Sequence, residues 1–287
     1  MVNTIARGNQ EALDLLLEKV YRDGGYDFRD YKDGTVTRRL ERRLQATGVE
    51  TYADYMHYLD AHPEEYEGLA QALTIVLSGF FRNHATFDQV TRLVLPELLA
   101  HKVDQRRYSL RFWSSACARG EEPYSIAITL AEFLRNHPCD FDTRIHATDL
   151  NRKILREARA GTYSPKEVEN LPPSVVEKYF TANNKGYVVR AYIREMVCFS
   201  HFDLTSSAKP PFGEVDCIFC CNVLIYLQKQ LQKRLLDMLY QVLATPGFLI
   251  LGEAETPTDN LRQKLECLDT KSKIYKKSGD ETSDRQA

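Results

Sequence analysis

The sequence predicts two parts of different class, a small all-helical domain followed by an α/β domain built on a parallel sheet. Two observations carry this prediction. Up to about residue 75, apolar side chains recur at helical spacing, and the first proline of the chain is Pro63. After His101, short apolar runs alternate with helical stretches, which is typical of βαβ units. At 287 residues, the chain is long enough for one large or two modest domains.

Two apolar stripes define the helices of the first part. One stripe comprises Leu13, Leu16, Leu17 and Val20, and the other comprises Val36, Leu40 and Leu44. The pair Gly24 and Gly25 predicts the break between these two helices, because glycine disfavours a helix interior. Thr51 is the expected N-cap of a third helix, since its side-chain oxygen can accept a hydrogen bond from a free amide.

The elements of the α/β part are predicted from its apolar runs. Strands are expected at 110–113, 143–147, 215–220 and 248–251, and helices at 124–134, 154–160 and 229–243. The segments 187–190 and 195–199 lie between these units. They are expected to form a small antiparallel insertion rather than a crossover helix.

Composition excludes several classes of protein. With 43% hydrophobic and 27% charged residues, the chain has the composition of a globular protein and not that of a disordered one. A formal net charge of -2 is unlike that of a general nucleic-acid binder. No apolar run approaches the ~18 residues that span a bilayer, and no signal-peptide core follows Met1. We therefore expect a cytoplasmic protein that does not insert into the membrane.

The seven cysteines are odd in number and mostly lie among apolar residues, so reduced, buried thiols are expected. Cys217 and Cys220 have a C-x-x-C spacing, which also occurs in zinc sites. Because they lie inside an apolar strand with no second pair nearby, we favour a structural role and expect no metal.

The loop after the first predicted strand is the first candidate site, because α/β sheets bind ligands beyond the carboxyl ends of their strands. Gly120 is the only glycine in the loop 114–124, so the loop lacks the glycine-rich pattern that binds pyrophosphate. Glu121 and Glu122 follow at the predicted start of a helix, where they repel phosphate and favour a cationic ligand. The alternative is that both only stabilise the helix terminus, since acidic first turns are common.

The second predicted strand ends at Asp149, a place where a carboxylate can accept both hydroxyls of a ribose. The alternative is that Asp149 is the N-cap of the helix that begins near Arg152. Taken together, the two loops favour a nucleoside that carries a positive charge.

Five ordered segments resemble the CheR family, the chemotaxis receptor methyltransferases that use S-adenosylmethionine. The segment 113–127 (WSSACARGEEPYSIA) resembles the signature of the family, and 77–82, 147–150, 158–163 and 218–227 follow the order of the family. The resemblance runs from about residue 12 to 275. It implies a helical receptor-recognition domain at 1–75, a linker at 76–95 and a Rossmann-like methyltransferase domain at 96–287, with an antiparallel β-subdomain inserted at about 163–200.

The resemblance also implies an activity. Members of the family transfer a methyl group from S-adenosylmethionine to glutamate side chains of chemoreceptors, and S-adenosylhomocysteine is the second product. Two alternatives stand beside this hypothesis. One is a methyltransferase that acts on another acidic protein or on a small molecule, and the other is a catalytically silent domain that keeps the cofactor fold as a scaffold.

Site residues are implied in the same way. The resemblance places Arg82 and Tyr226 next to the transferred methyl group. It assigns the cofactor contacts to Val76, Ser78, Arg82, Glu122, Asp149, Asp203, Leu204, Asn222 and Val223. The chain departs from the usual residues of the family at Val76, at Asp203, at Cys221 and in the segment 252–255.

Partner contacts are expected at two places. Arg38, Arg39, Arg42 and Arg43 lie on adjoining rows of one predicted helix, and the resemblance implies that this basic face docks on the acidic methylation region of a receptor. The alternative is a solvated charged face. In some members of the family, the β-subdomain binds a receptor's C-terminal peptide through a glycine-rich loop. Here the segment 181–187 is compact and has one glycine, so we predict a tether-independent enzyme. We also expect a monomer, and the near-neutral overall charge makes a nucleic-acid partner a poor alternative for the basic face.

Overall fold

The computed structural model describes residues 2–74, 78–206 and 208–279. The chain divides into two compact units. The N-terminal unit comprises Met1–Ile75 and Tyr226–Gln232, and the larger unit comprises Val76–Ile225 and Lys233–Ala287. Within the described ranges, no helix is long and apolar enough to cross a membrane, and no cluster of His, Cys, Asp and Glu side chains is placed to hold a metal ion.

The N-terminal unit contains four helices in the part of it that the structure describes: α1 (Val2–Gly24), α2 (Asp33–Thr47), α3 (Tyr52–Ala61) and α4 (Glu65–Leu73). The two predicted stripes are buried, with Leu16, Val20 and Leu40 fully excluded from solvent. Helix α1 ends at Gly24, and the hydroxyl of Thr51 accepts a bond from the Asp54 amide at 3.1 Å. The predicted helix break and N-cap are therefore confirmed.

The larger unit begins with α5 (His84–Gln89), a π-helical turn (Val90–Val94) and α6 (Leu95–Asp104). There follow β1 (Ser109–Ser114), α7 (Glu121–Leu134), β2 (Asp142–Asp149), α8 (Arg152–Ala160), β3 (Thr162–Tyr163), α9 (Pro165–Val168), α10 (Pro173–Tyr179), β4 (Phe180–Asn183), β5 (Gly186–Val189), α11 (Ala191–Arg194) and β6 (Val197–His201). The last elements of the chain are β7 (Val215–Cys220), a 3-10 turn (Leu224–Tyr226), α12 (Lys229–Val242), β8 (Leu243–Leu251), α13 (Asp259–Arg262), β9 (Glu266–Asp269) and β10 (Ile274–Lys277). The start of α12, up to Gln232, belongs to the N-terminal unit.

Over the residues described, β6-β2-β1-β7-β8-β10-β9 is the order of a seven-stranded sheet. Its first five strands run parallel, while β10 pairs antiparallel with both β8 and β9. All six residues of β7 are buried, because a central parallel strand is covered on both faces. Cys217 and Cys220 lie in this strand, and burial raises the pKa of both thiols.

The small antiparallel sheet has the order β3-β5-β4. The expectation for the segment 195–199 was wrong. Residues 197–199 of this segment lie outside the insertion, in β6, which runs parallel to β2 with Ile145 opposite Val197 and Ala147 opposite Phe199. Hydrogen bonding to the exposed edge of β2 buries Val197, a partner choice that an apolar run alone does not specify.

Candidate functional site

The candidate site lies in the larger unit, where the parallel strands β1, β2 and β7 end at one edge of the sheet. Gly120 is the N-cap of α7 with a φ of 94°. A Cβ at this position would lie 3.1 Å from Ala158 Cβ and 3.2 Å from Tyr163 Oη. Glycine is therefore favoured here both by the left-handed backbone and by the close packing of the loop.

Glu122 lies in the first turn of α7 and is half-buried. The hydroxyl of Ser114, at the end of β1, donates to Glu122 Oε1 at 2.6 Å. Burial raises the pKa of Glu122 to about 7, although bonds from Ser114 and the Cys221 thiol oppose the rise. The charge of Glu255 raises this pKa further, and the charge of Arg82 lowers it. Glu122 is thus a carboxylate near its titration midpoint at neutral pH, within electrostatic reach of Arg82.

Asp149 is half-buried at the end of β2, and it shapes the loop after β1. Its Oδ2 accepts from the amide of Ala118 at 3.0 Å, and its Oδ1 accepts from the amide of Asn151 at 2.8 Å. Burial raises its pKa, and the amide bonds oppose that rise. The alternative assignment of Asp149 as an N-cap is wrong. The N-cap of α8 is Asn151, whose side chain accepts from the amides of Lys153 and Ile154.

Arg82 lies between two residues in the left-handed region, Phe81 with φ 48° and Asn83 with φ 62°. The Phe81 amide donates to the Oγ of Ser125 at 2.8 Å. Such backbone strain persists only where the surroundings enforce it, and it clusters at functional sites. The side chain of Arg82 is exposed.

Ser78 belongs to the same segment and hydrogen-bonds to the carboxyl group of Glu121, which is 3% exposed. Burial raises the pKa of Glu121. The first turn of α7 therefore holds the segment before Arg82 through Glu121 and presents Glu122 beside it.

Asn222 follows β7 and also has a left-handed backbone, with φ 60°. Its amide donates to Glu255 Oε2 at 2.8 Å. Cys221 is half-buried, and its sulfur lies 3.9 Å from the carbonyl oxygen of Ile250. The loop that begins at Asn222 is thus held by a buried carboxylate from the turn after β8.

Asp203 and Tyr226 make hydrogen bonds apart from those of Glu122 and Asp149. Asp203 Oδ1 accepts from the amide and the hydroxyl of Thr205 at 2.8 and 2.6 Å, within a local turn that also contains Leu204. Tyr226 belongs to the N-terminal unit, where its carbonyl accepts from the Lys32 amide at 2.9 Å. Val76 lies outside the described residues.

The four arginines of α2 do not form a uniform basic face. Arg39 donates to the carbonyls of Ala72 and Thr74, and Arg43 forms a forked pair with the carboxylate of Glu65. Two of the four are thus bound within their own unit and act in its packing. Arg38 and Arg42 are exposed.

Sequence reasoning assigned no role to Ser114, Ser125 or Glu255. Ser114 and Ser125 lie inside the recognised segment 113–127, which gave a positional signal but no partner. Glu255 lies just after a buried strand, at the end of the segment 252–255 in which the chain departs from the usual residues of the family. The partners of Ser125 and Glu255 are 44 and 33 residues away in the chain.

The chain is similar to known proteins in both of its parts. Residues 11–74 match the CheR methyltransferase, all-alpha domain, and residues 77–274 match the CheR methyltransferase, SAM binding domain. The chain is 35% identical over 250 residues to chemotaxis protein methyltransferase 2 of Pseudomonas aeruginosa, which covers 86% of each chain. It is 31% identical over 245 residues to an uncharacterized 104.1 kDa protein of Rhodobacter capsulatus, a match that covers 85% of this chain and 25% of that protein. A solved glycopeptide N-methyltransferase, MtfA with sinefungin, is 12% identical with a TM-score of 0.36, over 61% of this chain and 50% of that chain.

Carboxylates near the strand ends, without a glycine-rich phosphate loop, fit an α/β domain whose ligand is a cationic nucleoside rather than a pyrophosphate. The two domain matches together span most of the chain. The chain therefore belongs to the CheR methyltransferase family, and its cofactor is S-adenosylmethionine.

Proposed function

We propose that this chain transfers methyl groups from S-adenosylmethionine to glutamate side chains of chemoreceptors in the cytoplasm. The observation that carries the proposal is Glu122, a half-buried carboxylate that lies within electrostatic reach of Arg82 at the sheet edge. The name of the Pseudomonas aeruginosa relative, chemotaxis protein methyltransferase 2, supports chemotaxis as the setting.

The residues present fit the cofactor. S-adenosylmethionine carries a positively charged sulfur, and Glu122 is the carboxylate that would stabilise this charge. Asp149 accepts from the backbone amides of Ala118, Asn151 and Leu150, and a carboxylate has about four acceptor sites, so capacity remains for a further donor such as a ribose hydroxyl. Asp203 and Leu204 would border the adenine, Ser78 would contact the cofactor from its own segment, and Asn222 and Val223 would close the pocket after β7.

Acceptor activation needs little from the protein. When bound, the cofactor supplies a methyl group for in-line transfer to an oxygen of the acceptor. A glutamate acceptor has an ordinary pKa near ~4.3 and is ionised at neutral pH, so no strong general base is required. The guanidinium of Arg82 would orient the acceptor carboxylate with its planar fork. Orientation rather than charge neutralisation is the role we assign, because a tight clamp would stabilise the ground state.

Receptor docking is assigned to the exposed arginines of α2. Arg38 and Arg42 remain available to an acidic partner, whereas Arg39 and Arg43 stabilise the N-terminal unit. We further propose that the enzyme acts without a receptor tether, since β4 and β5 are joined by a short turn at Asn184 and Lys185.

The test is transfer of labelled methyl from S-adenosylmethionine to chemoreceptor-bearing membranes of the same organism, scored as base-labile methanol. Arg82→Ala is compared with Arg92→Ala, which removes an exposed arginine from the neighbouring π-helical turn. The expected result is base-labile label that is lost in Arg82→Ala and retained in Arg92→Ala. Cofactor binding without any label would refute receptor methylation and favour another acceptor or a silent scaffold.

A further inference from the structure

Glu255 is a buried carboxylate outside the predicted site, and it connects the turns that follow two neighbouring parallel strands. Its side chain is 3% exposed. Oε2 accepts from the amides of Gly252 at 2.7 Å and Asn222 at 2.8 Å, while Oε1 accepts a longer bond of 3.4 Å from the amide of Ile225. The carboxylate thus satisfies backbone donors before and after Val223, the residue expected to contact the cofactor.

The surroundings allow little freedom around this carboxylate. A Cβ on Gly252 would lie 2.6 Å from Glu255 Oε2 and 2.8 Å from the Asn222 nitrogen, and real Cβ atoms do not approach so closely. Asn222 has a left-handed backbone, and its amide N–H donates to Oε2 of Glu255. Hydrogen bonds from amides to an ionised carboxylate are stronger than those between neutral groups. Glu255 therefore sets the backbone conformation of the loop.

We propose that Glu255 is a positioning residue for the cofactor: it holds Asn222 and Val223 in the conformation that binds S-adenosylmethionine. This inference rests on the proposed role of the loop at Asn222 and goes beyond it by naming the group that shapes the loop. A second observation supports it, because the negative charge of Glu255 also acts on Glu122 and raises its pKa. One buried side chain thereby connects the two parts of the site that are expected to contact the cofactor.

The alternative is a purely structural role, in which Glu255 joins the two turns without affecting the ligand. The two roles differ in what a conservative variant does. Glu255→Gln keeps the size of the side chain and one acceptor oxygen but removes the charge, so folding should survive while the loop relaxes. Glu253→Gln is the matched control, because it removes the same charge from an exposed side chain two residues away.

Calorimetric titration of each full-length variant with S-adenosylmethionine and with S-adenosylhomocysteine is the test. Both titrations need no receptor, so a failure of receptor methylation would not affect them. We expect affinity for S-adenosylmethionine to fall about tenfold in Glu255→Gln and to stay within about twofold in Glu253→Gln. In methylation assays, KM for the cofactor should rise while KM for the receptor stays unchanged. Loss of the charge should also move the pH midpoint of cofactor binding to a lower value, because Glu122 then ionises more easily.

A second variant covers the case in which Glu255→Gln fails to fold. Gly252→Ala keeps Glu255 but pushes its carboxylate away from the Asn222 amide, and it should raise KM for the cofactor in the same manner. Folded Glu255→Gln or Gly252→Ala protein with wild-type cofactor affinity would overturn the proposal. Equal increases in KM for cofactor and receptor would also overturn it, since they would indicate general damage to the fold.

Discussion

The Oγ of Ser125 accepts a hydrogen bond from the Phe81 amide at 2.8 Å and donates one to the Glu121 carbonyl at 2.7 Å. Ser125 is fully buried, and Phe81 has a left-handed backbone. A side chain of α7 therefore fixes the residue before Arg82. Because a serine hydroxyl can donate and accept at once, it joins a strained loop to a helix carbonyl without leaving a polar group unpaired.

We predict that Ser125→Ala lowers kcat for methyl transfer about tenfold, because Arg82 loses its fixed approach to the acceptor. The melting temperature should fall by only a few degrees, consistent with one lost acceptor. The matched control is Thr129→Val. The Thr129 hydroxyl donates to the Ser125 carbonyl, one turn along the same helix. Wild-type kcat in folded Ser125→Ala would contradict the prediction.

Glu122 predicts a pH dependence of cofactor binding. Its pKa is raised to about 7 from the ordinary 4.5, and a cationic ligand favours the ionised carboxylate. Affinity for S-adenosylmethionine should therefore increase as the pH rises from about 6 to 8, whereas affinity for the uncharged sulfur of S-adenosylhomocysteine should change less. Calorimetry across this range checks the slope. Glu122→Gln should abolish it, and an unchanged slope in that variant would assign the effect to another group.

The same raised pKa predicts the sign of a stability effect in the absence of cofactor. Between pH 4.5 and about 7 the folded state retains a proton that the unfolded state has released, so the contribution of Glu122 to stability decreases as the pH rises through this range. The difference in unfolding free energy between wild type and Glu122→Gln isolates this contribution. An increase of that difference with pH would show that the group titrates in the opposite direction.

Arg43 should matter for stability rather than for docking. Its guanidinium forms a forked pair with Glu65, whose side chain is 8% exposed, and the Tyr55 hydroxyl donates to the same carboxylate at 2.6 Å. Arg43→Ala leaves a buried charge without its partner and should cost about 3 kcal/mol in urea unfolding. Arg42→Ala removes an exposed neighbour and should cost less than about 0.5 kcal/mol. Equal costs would contradict the assignment.

Charge reversal at the two exposed arginines tests docking. The double variant Arg38→Glu with Arg42→Glu should raise KM for receptor membranes at least about tenfold, and the effect should shrink at high salt. Cofactor affinity should not change. Lys153→Glu with Arg156→Glu, an exposed basic pair on α8, serves as the control. Equal loss in both double variants would indicate a general charge effect, and no loss would remove α2 from the docking surface.

Tether independence is tested by titrating the enzyme with a receptor C-terminal pentapeptide. We expect no binding, because the segment 181–187 has one glycine, and the short turn at Asn184 and Lys185 lacks an inserted peptide-binding loop. Measurable binding, or methylation that depends on the receptor's C-terminal peptide, would contradict this prediction.

Local patterns in the sequence were sufficient to predict the position of individual helices and strands. The apolar run 215–220 became β7 with the predicted bounds, Thr51 caps α3, and the stripe of Val36, Leu40 and Leu44 is buried. Each of these outcomes depends on residues within one or two turns of each other, where periodicity and capping act. The ordered motifs also identified the family and its cofactor, because they retain the residue types that the site requires.

Only the tertiary structure determined which strands pair and which groups hydrogen-bond to each other. Residues 197–199 pair with β2 rather than with the insertion, Asn151 rather than Asp149 caps α8, and Arg39 and Arg43 bind groups of their own unit. Except for the cap, these choices join residues that are far apart in the chain, as do the bonds of Ser125 and Glu255. A sequence pattern specifies which face of an element is apolar, but the hydrogen-bond partner depends on which groups the packed sheet brings within 3 Å.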